Sequence, residues 1–122
     1  MTVQKDLGQM GEQIAFEHLI RKGYYIKARN WYYKNAEIDI IATHKNQLVI
    51  VEVKTRSAAI YEEPRDSITD QKIRFLTHAA EAYILENEID LETRFDVIAI
   101  KWFGNGKYEL NHIEDAFTPM VD

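Results

Sequence analysis

Two short apolar segments, joined by a few polar residues, constrain this chain more than any other feature. Glu37 to Thr43 and Leu48 to Arg56 are rich in Ile and Val, and His44-Lys45-Asn46-Gln47 lies between them. That pattern reads as a β-hairpin with a short loop. Strands this apolar keep ions off their inner faces, because an unpaired buried charge is costly. These two nevertheless carry Glu37, Asp39, Glu52 and Lys54.

Side chains alternate along a strand. Glu37, Asp39 and Ile41 should therefore share one face of the first segment, and Ile50, Glu52 and Lys54 one face of the second. A hairpin symmetric about Lys45-Asn46 sets Asp39 opposite Glu52 and Glu37 opposite Lys54. Opposed Cβ atoms lie ~4.5–5.5 Å apart. Two carboxylates at that distance repel, and one pKa rises unless a cation sits between them. Mg²⁺ is the natural candidate, with Mn²⁺ as a substitute, since it takes one or two carboxylates and leaves the remaining positions to water and phosphate. The backbone carbonyl of Val53 could add a ligand. The pattern points to phosphodiester chemistry, with Lys54 either acting on the attacking water or stabilising charge on phosphorus. The alternative is an exposed strand face in which Glu37 and Lys54 form an ordinary ion pair. It explains poorly why Asp39 should face Glu52.

The remaining chain reads as support. Val3 to Lys22 has helical spacing, with Leu7, Met10, Gly11, Ile14, Ala15 and His18 on one stripe. Gly8 and Gly11 each cost about 1 kcal/mol in a helix interior, which suggests close approach to a neighbouring element. Glu12 flanks that stripe, either as a solvated residue or as a further metal carboxylate. Tyr24 to Trp31 reads as a strand, Tyr32 to Asn35 as a turn and Ser57 to Arg65 as a loop. A second helix begins near Ser67, where Ser67 and Asp70 have capping-box spacing. Arg94 to Phe103 and Tyr108 to Ile113 are strands around the Gly104-Asn105-Gly106-Lys107 turn. The order α-β-β-β-α-β-β predicts an α/β or α+β architecture, a mixed central sheet flanked by helices, in one domain spanning 1–122.

Gln71 and Lys72 fall in the first turns of the second helix, where phosphate is favoured. Thr55 and Arg56, with Arg65, Lys72 and Arg74, could form a basic rim. His18, His44, His78 and His112 show no zinc spacing and read as structural or surface residues. Asp96, beside Arg94, reads as a structural salt bridge or cap rather than a catalytic residue. The net charge of −5 argues against high-affinity, non-specific DNA binding, although a metal-binding acid cluster adds negative charge of its own. The chain has no cysteine, so thiolate metal sites are excluded, and a cytoplasmic setting is expected. Neither a signal peptide nor a membrane-spanning run is expected.

Gly8-x-x-Gly11-Glu12-x-x-Ala15, Asn30-Trp31, Glu37-Ile38-Asp39-Ile40-Ile41, Val51-Glu52-Val53-Lys54-Thr55-Arg56, Pro64, Lys72 and Arg94-Phe95-Asp96-Val97 occur in this order. Together they resemble the YraN-like family of small bacterial predicted endonucleases. That family is placed in the PD-(D/E)XK nuclease superfamily and is similar to archaeal Holliday junction resolvases. The resemblance implies a restriction-endonuclease-like fold and a Mg²⁺-dependent DNA endonuclease. It makes Asp39 and Glu52 metal ligands, Lys54 the catalytic lysine and Glu12 the helix-one acid, and it leaves Glu37 without a defined role. By analogy it also implies branched DNA as substrate and a two-fold dimer. The chain departs from the family pattern at Ile60-Tyr61-Glu62-Glu63, where two acids precede Pro64. A contrasting expectation is a non-catalytic nucleic-acid-binding or protein-interaction module that keeps the fold.

Overall fold

The computed structural model describes residues 3–60 and 68–120, with side chains in the first helix from Asp6 onward. Pro64, Arg65 and Ser67 lie outside the described residues. The elements are α1 (Val3–Arg21), β1 (Tyr25–Tyr33), β2 (Ala36–His44), β3 (Gln47–Ser57), α2 (Asp70–Glu86), β4 (Glu92–Gly104) and β5 (Lys107–Ile113). A 3-10 turn, Ala58–Ile60, follows β3. This is the expected α-β-β-β-α-β-β order in an α+β architecture. The five strands form one mixed sheet in sequential order. β3 and β4 are parallel and the other neighbours antiparallel.

The helices cover opposite faces of the sheet. Ala15 and Leu19 of α1 pack on Ile40, Ala42, Val49, Val51, Ile98 and Ile100. Leu76, Ala79, Ala80 and Tyr83 of α2 pack on Ile38, Ile41, Leu48, Ile50 and Phe95. The central strands are thus apolar on both faces, as strands covered on both sides must be.

The β2–β3 turn follows the expected symmetric register, from His44↔Gln47 to Ile40↔Val51. Lys45 and Asn46 both have left-handed backbone, φ 50° and 65°, the two-residue conformation whose twist matches the flanking strands. Most boundaries lie within a residue or two of the sequence reading, and two of the differences matter. Tyr32 and Tyr33 continue β1, leaving Lys34-Asn35 as the turn. The cap of α2 is Thr69, whose Oγ1 accepts from the Lys72 N–H at 3.1 Å.

The two glycines of α1 serve different ends. Gly11 is buried against β3: a Cβ there would collide with Thr55 Oγ1 and lie 2.8 Å from Thr55 Cβ. A Cβ on Gly8 would meet nothing within 4 Å, so close approach accounts for Gly11 alone. Gly11→Ala should destabilise the fold by about 1–3 kcal/mol through overpacking. Gly8→Ala should stabilise it by up to about 1 kcal/mol through helix propensity. Urea denaturation of the two variants checks this, and equal midpoints would show that α1 does not seat on β3 through Gly11.

Candidate functional site

β3 pairs with β4 along its whole length, from Gln47↔Glu92 to Ser57↔Trp102. Its ladder with β2 runs only as far as Ile40↔Val51. There β2 changes phase. Ile38 and Ile41 both join the α2-side cluster, whereas Ile40 and Ala42 join the α1-side cluster. Strict alternation cannot place Ile38 and Ile41 on one face, so the change falls at Asp39. In the register, Arg29↔Ile40 and Trp31↔Ile38 flank Asn30 and Asp39, and Asn30 has a left-handed backbone, φ 49°. Both strands therefore kink at one point, and β2 parts from β3.

The acid pair sits where they part. Asp39 is 8% exposed and Glu52 5%. Asp39 Oδ2 accepts a hydrogen bond from the Val53 N–H at 2.8 Å, a side chain standing in for the lost ladder bond. Glu52 lies within hydrogen-bonding reach of Asp39. The expected meeting of the two carboxylates therefore occurs, but through side chains at a parting of strands rather than as a rung of the ladder. Burial, then the Glu52 charge, pushes the Asp39 carboxyl up to about 9. At neutral pH the pair therefore holds a proton. Among the described residues Lys72 forms an ion pair with it, Nζ lying 3.2 Å from Glu52 Oε2.

The remaining acids are arranged differently from the sequence reading. Asn30 Nδ2 donates to Glu12 Oε1 at 2.8 Å and to Glu37 Oε2 at 3.0 Å. Glu37 thus belongs with Asn30 and Glu12, and the expected Glu37–Lys54 pair is not among the contacts of the described residues. The phase change at Asp39 is the reason, because it breaks the face-sharing on which that pairing rested. Asn30 stands in the family pattern quoted above, but sequence reasoning gave it no role in the site. Its local signal is an asparagine inside an aromatic strand, since Asn tolerates left-handed backbone better than most residues.

Lys54 is half-buried, two residues beyond Glu52 on the same strand face. Arg56 is exposed, and its guanidinium donates to the Thr55 carbonyl at 2.9 Å. Gln71 is exposed in the first turn of α2. Glu12, Val53, Thr55 and Arg56 line one open groove of about 450 Å³ with Leu7 and Gly8. Among the described residues no three His, Cys, Asp or Glu side chains converge as a metal-binding group. Two adjacent carboxylates beside open main chain nonetheless suit Mg²⁺, which takes the rest of its shell from water and phosphate.

A second polar cluster lies on the α1 side, around Asp96, which is fully buried. Arg94 binds both its oxygens, at 2.9 and 2.8 Å, and the Asp115 N–H donates to it at 3.0 Å. His112 Nε2 is 2.8 Å from Oδ2, and His112 Nδ1 is 3.2 Å from His18 Nε2. Arg94 also donates to the Tyr24 hydroxyl at 2.7 Å, and the Tyr24 ring stacks on His44 with centroids 3.9 Å apart. Three of the four histidines, scattered in sequence, thus gather here. Burial alone would raise the Asp96 pKa, but hydrogen bonds from His112, Arg94 and Asp115 outweigh it and hold the carboxyl below its ordinary range. Asp96 is a structural ion-pair centre, as its place beside Arg94 suggested.

Residues 11–100 match the model of a family described as "Uncharacterised protein family UPF0102". A UPF0102 protein of Flavobacterium psychrophilum is 45% identical over 117 residues, covering 96% of this chain and 98% of that protein. A UPF0102 protein of Bacteroides thetaiotaomicron is 41% identical over 122 residues, covering 99% of each chain. One from Phocaeicola vulgatus is 38% identical over 121 residues, again covering 99% of each.

The raised pKa of Asp39 has a stability consequence of definite sign. Between its ordinary value of 3.8 and about 9, the folded state binds a proton that the unfolded state has released. Metal-free protein must therefore lose stability as pH rises through that window. The melting temperature should fall from pH 5 to pH 9 (about those limits), and Asp39→Asn should remove most of the fall and melt higher at the alkaline end. A wild-type profile that is flat over this range would show that the carboxylates do not share a proton.

Proposed function

This chain belongs to the uncharacterised protein family UPF0102, and we propose that it is a metal-dependent DNA endonuclease that hydrolyses phosphodiester bonds. The observation that carries the proposal is the buried pair Asp39 and Glu52, adjacent at a parting of strands, with Lys54 on the Glu52 strand. Two like charges buried together destabilise a fold unless something compensates them. Carboxylates kept in such a place are candidates for function.

Asp39 and Glu52 would hold Mg²⁺ or Mn²⁺, with the Val53 carbonyl as a further donor. Bound there, the metal would polarise a phosphoryl oxygen and activate water. Lys54 would orient or deprotonate the attacking water, or neutralise charge building on phosphorus. Arg56, on the groove beside Val53, would take a flanking phosphate, with Gln71 and Lys72 at the head of α2 on the other side. Glu12 is held by Asn30 and would serve the site from the α1 side, with Glu37 fixing Asn30.

The PD-(D/E)XK resemblance supports this reading, because it assigns the same three residues to the same chemistry. Its resolvase-like branch extends the proposal to branched DNA cut by a two-fold dimer in the cytoplasm. No described helix is long and apolar enough to cross a membrane.

The test is cleavage of linear, nicked, flap and four-way DNA with Mg²⁺ or Mn²⁺. Wild type should cut at least one substrate, and EDTA should stop it. Lys54→Ala and Glu52→Gln should each lose roughly 10²–10³-fold in rate, the scale for removing one group that stabilises transition-state charge, while keeping a native circular-dichroism spectrum. Cleavage that survives in both variants would place the activity elsewhere. Binding of DNA without cleavage under every metal would favour a non-catalytic module.

A further inference from the structure

The ion pair between Lys72 and Glu52 joins unequal partners. Glu52 is 5% exposed and fixed in β3, whereas the Lys72 side chain is 41% exposed. Its main chain is held: the Lys72 N–H donates to Thr69 Oγ1 at 3.1 Å, and the Ile73 N–H donates to the Thr69 carbonyl at 3.0 Å. The root of the side chain is therefore rigid, while its tip can move out to water. The lysine gives up little on leaving, but Glu52 is buried, so another cation must take its place when it does.

We propose that Lys72 is a stand-in cation: without metal its Nζ neutralises Glu52, and an arriving divalent ion displaces it toward the phosphate backbone of a bound strand. The proposal rests on the metal-centre reading above and adds a role for one residue. The acid pair lacks any other positive partner among the contacts of the described residues: Asp39 has the Val53 N–H, and Glu52 has Lys72. Asp39 and Glu52 would hold the divalent ion, which would supply the positive charge that Lys72 supplies without it and would repel the Lys72 ammonium. Once displaced, the ammonium remains tethered in the first turn of α2, beside the site. A flexible point charge there suits phosphate, and the helix N-terminus favours the same ligand.

The arrangement couples two ligands. Metal binding frees a phosphate contact, and phosphate binding at Lys72 removes a competitor for the metal, so each should tighten the other by the same factor. Without metal the protein withdraws Lys72 from the strand, which keeps a chain of net charge −5 from holding DNA it cannot cut.

The experiment is calorimetric titration of Mg²⁺ into wild type, Lys72→Met, Lys72→Arg and Glu52→Gln, at about pH 8.5 so that protons compete least. Lys72→Met should bind Mg²⁺ about five-fold tighter, the scale of one exposed ion pair removed. Lys72→Arg should stay near wild type, and Glu52→Gln should lose binding. In parallel, the affinity for a DNA oligonucleotide is measured with and without Ca²⁺, which replaces Mg²⁺ to prevent cleavage. The gain on adding Ca²⁺ should be smaller in Lys72→Met than in wild type. A merely structural Lys72 would not tighten metal binding when removed. Unchanged or weaker Mg²⁺ binding by Lys72→Met, beside a wild type that binds Mg²⁺, overturns the stand-in role and leaves the metal centre intact. Absence of Mg²⁺ binding by wild type overturns both.

Discussion

Everything distinctive about this molecule depends on where β2 lets go of β3. A strand in a mixed sheet ordinarily satisfies its main chain through two neighbours. β3 keeps β4 to its end, at Ser57↔Trp102, but follows β2 only to Val51. The Val53 N–H would be stranded there, and a buried amide without an acceptor costs roughly 1–3 kcal/mol. Asp39 fills the gap with a carboxylate oxygen. The same residue thus closes a structural debt and opens a chemical site. The phase change that lets β2 diverge also turns Asp39 toward Val53 and Glu52.

Two features hold that divergence open. On the β1 side, Asn30 takes a left-handed conformation opposite the kink and ties Glu12 of α1 to Glu37 of β2. On the α1 side, Gly11 lets the helix rest on Thr55 of β3, three residues beyond Glu52. The helix therefore approaches the parting strands closely enough for Glu12 to reach Asn30. Glycine at position 11, asparagine at 30 and the acids at 12 and 37 form one mechanical unit, although they lie on three elements.

Much of this was legible in the sequence, and the limits have physical causes. The hairpin register was readable because Lys45-Asn46 is a two-residue turn and both flanking strands are apolar. It led to the expectation that Asp39 meets Glu52, and the two do meet, through side chains and not as a rung of the ladder. What misled was the assumption that alternation continues past Ile40. A left-handed asparagine in a neighbouring strand breaks alternation, and no local pattern in β2 announces it. The cap of α2 was misplaced by two residues because Ser67 and Thr69 are both residue types that cap helices, and local sequence does not decide between them. The gathering of His18, His44 and His112 was invisible for a different reason. His18 and His112 are 94 residues apart, and only the packing of α1 on the assembled sheet brings them together.

Asp39 and Asp96 argue the functional case by contrast. Both are buried aspartates in central strands of one sheet. Asp96 has a guanidinium on both oxygens, an imidazole and a main-chain N–H, and its pKa falls. Asp39 has one N–H and another carboxylate for company, and its pKa rises. The fold can therefore satisfy a buried aspartate completely, and does so where the role is structural. At Asp39 it places a second acid beside the first and supplies one lysine, on a helix, whose tip reaches water. An incomplete shell at a parting of strands is a poor way to stabilise a protein. It is a suitable way to leave room for a cation and a phosphate that arrive together.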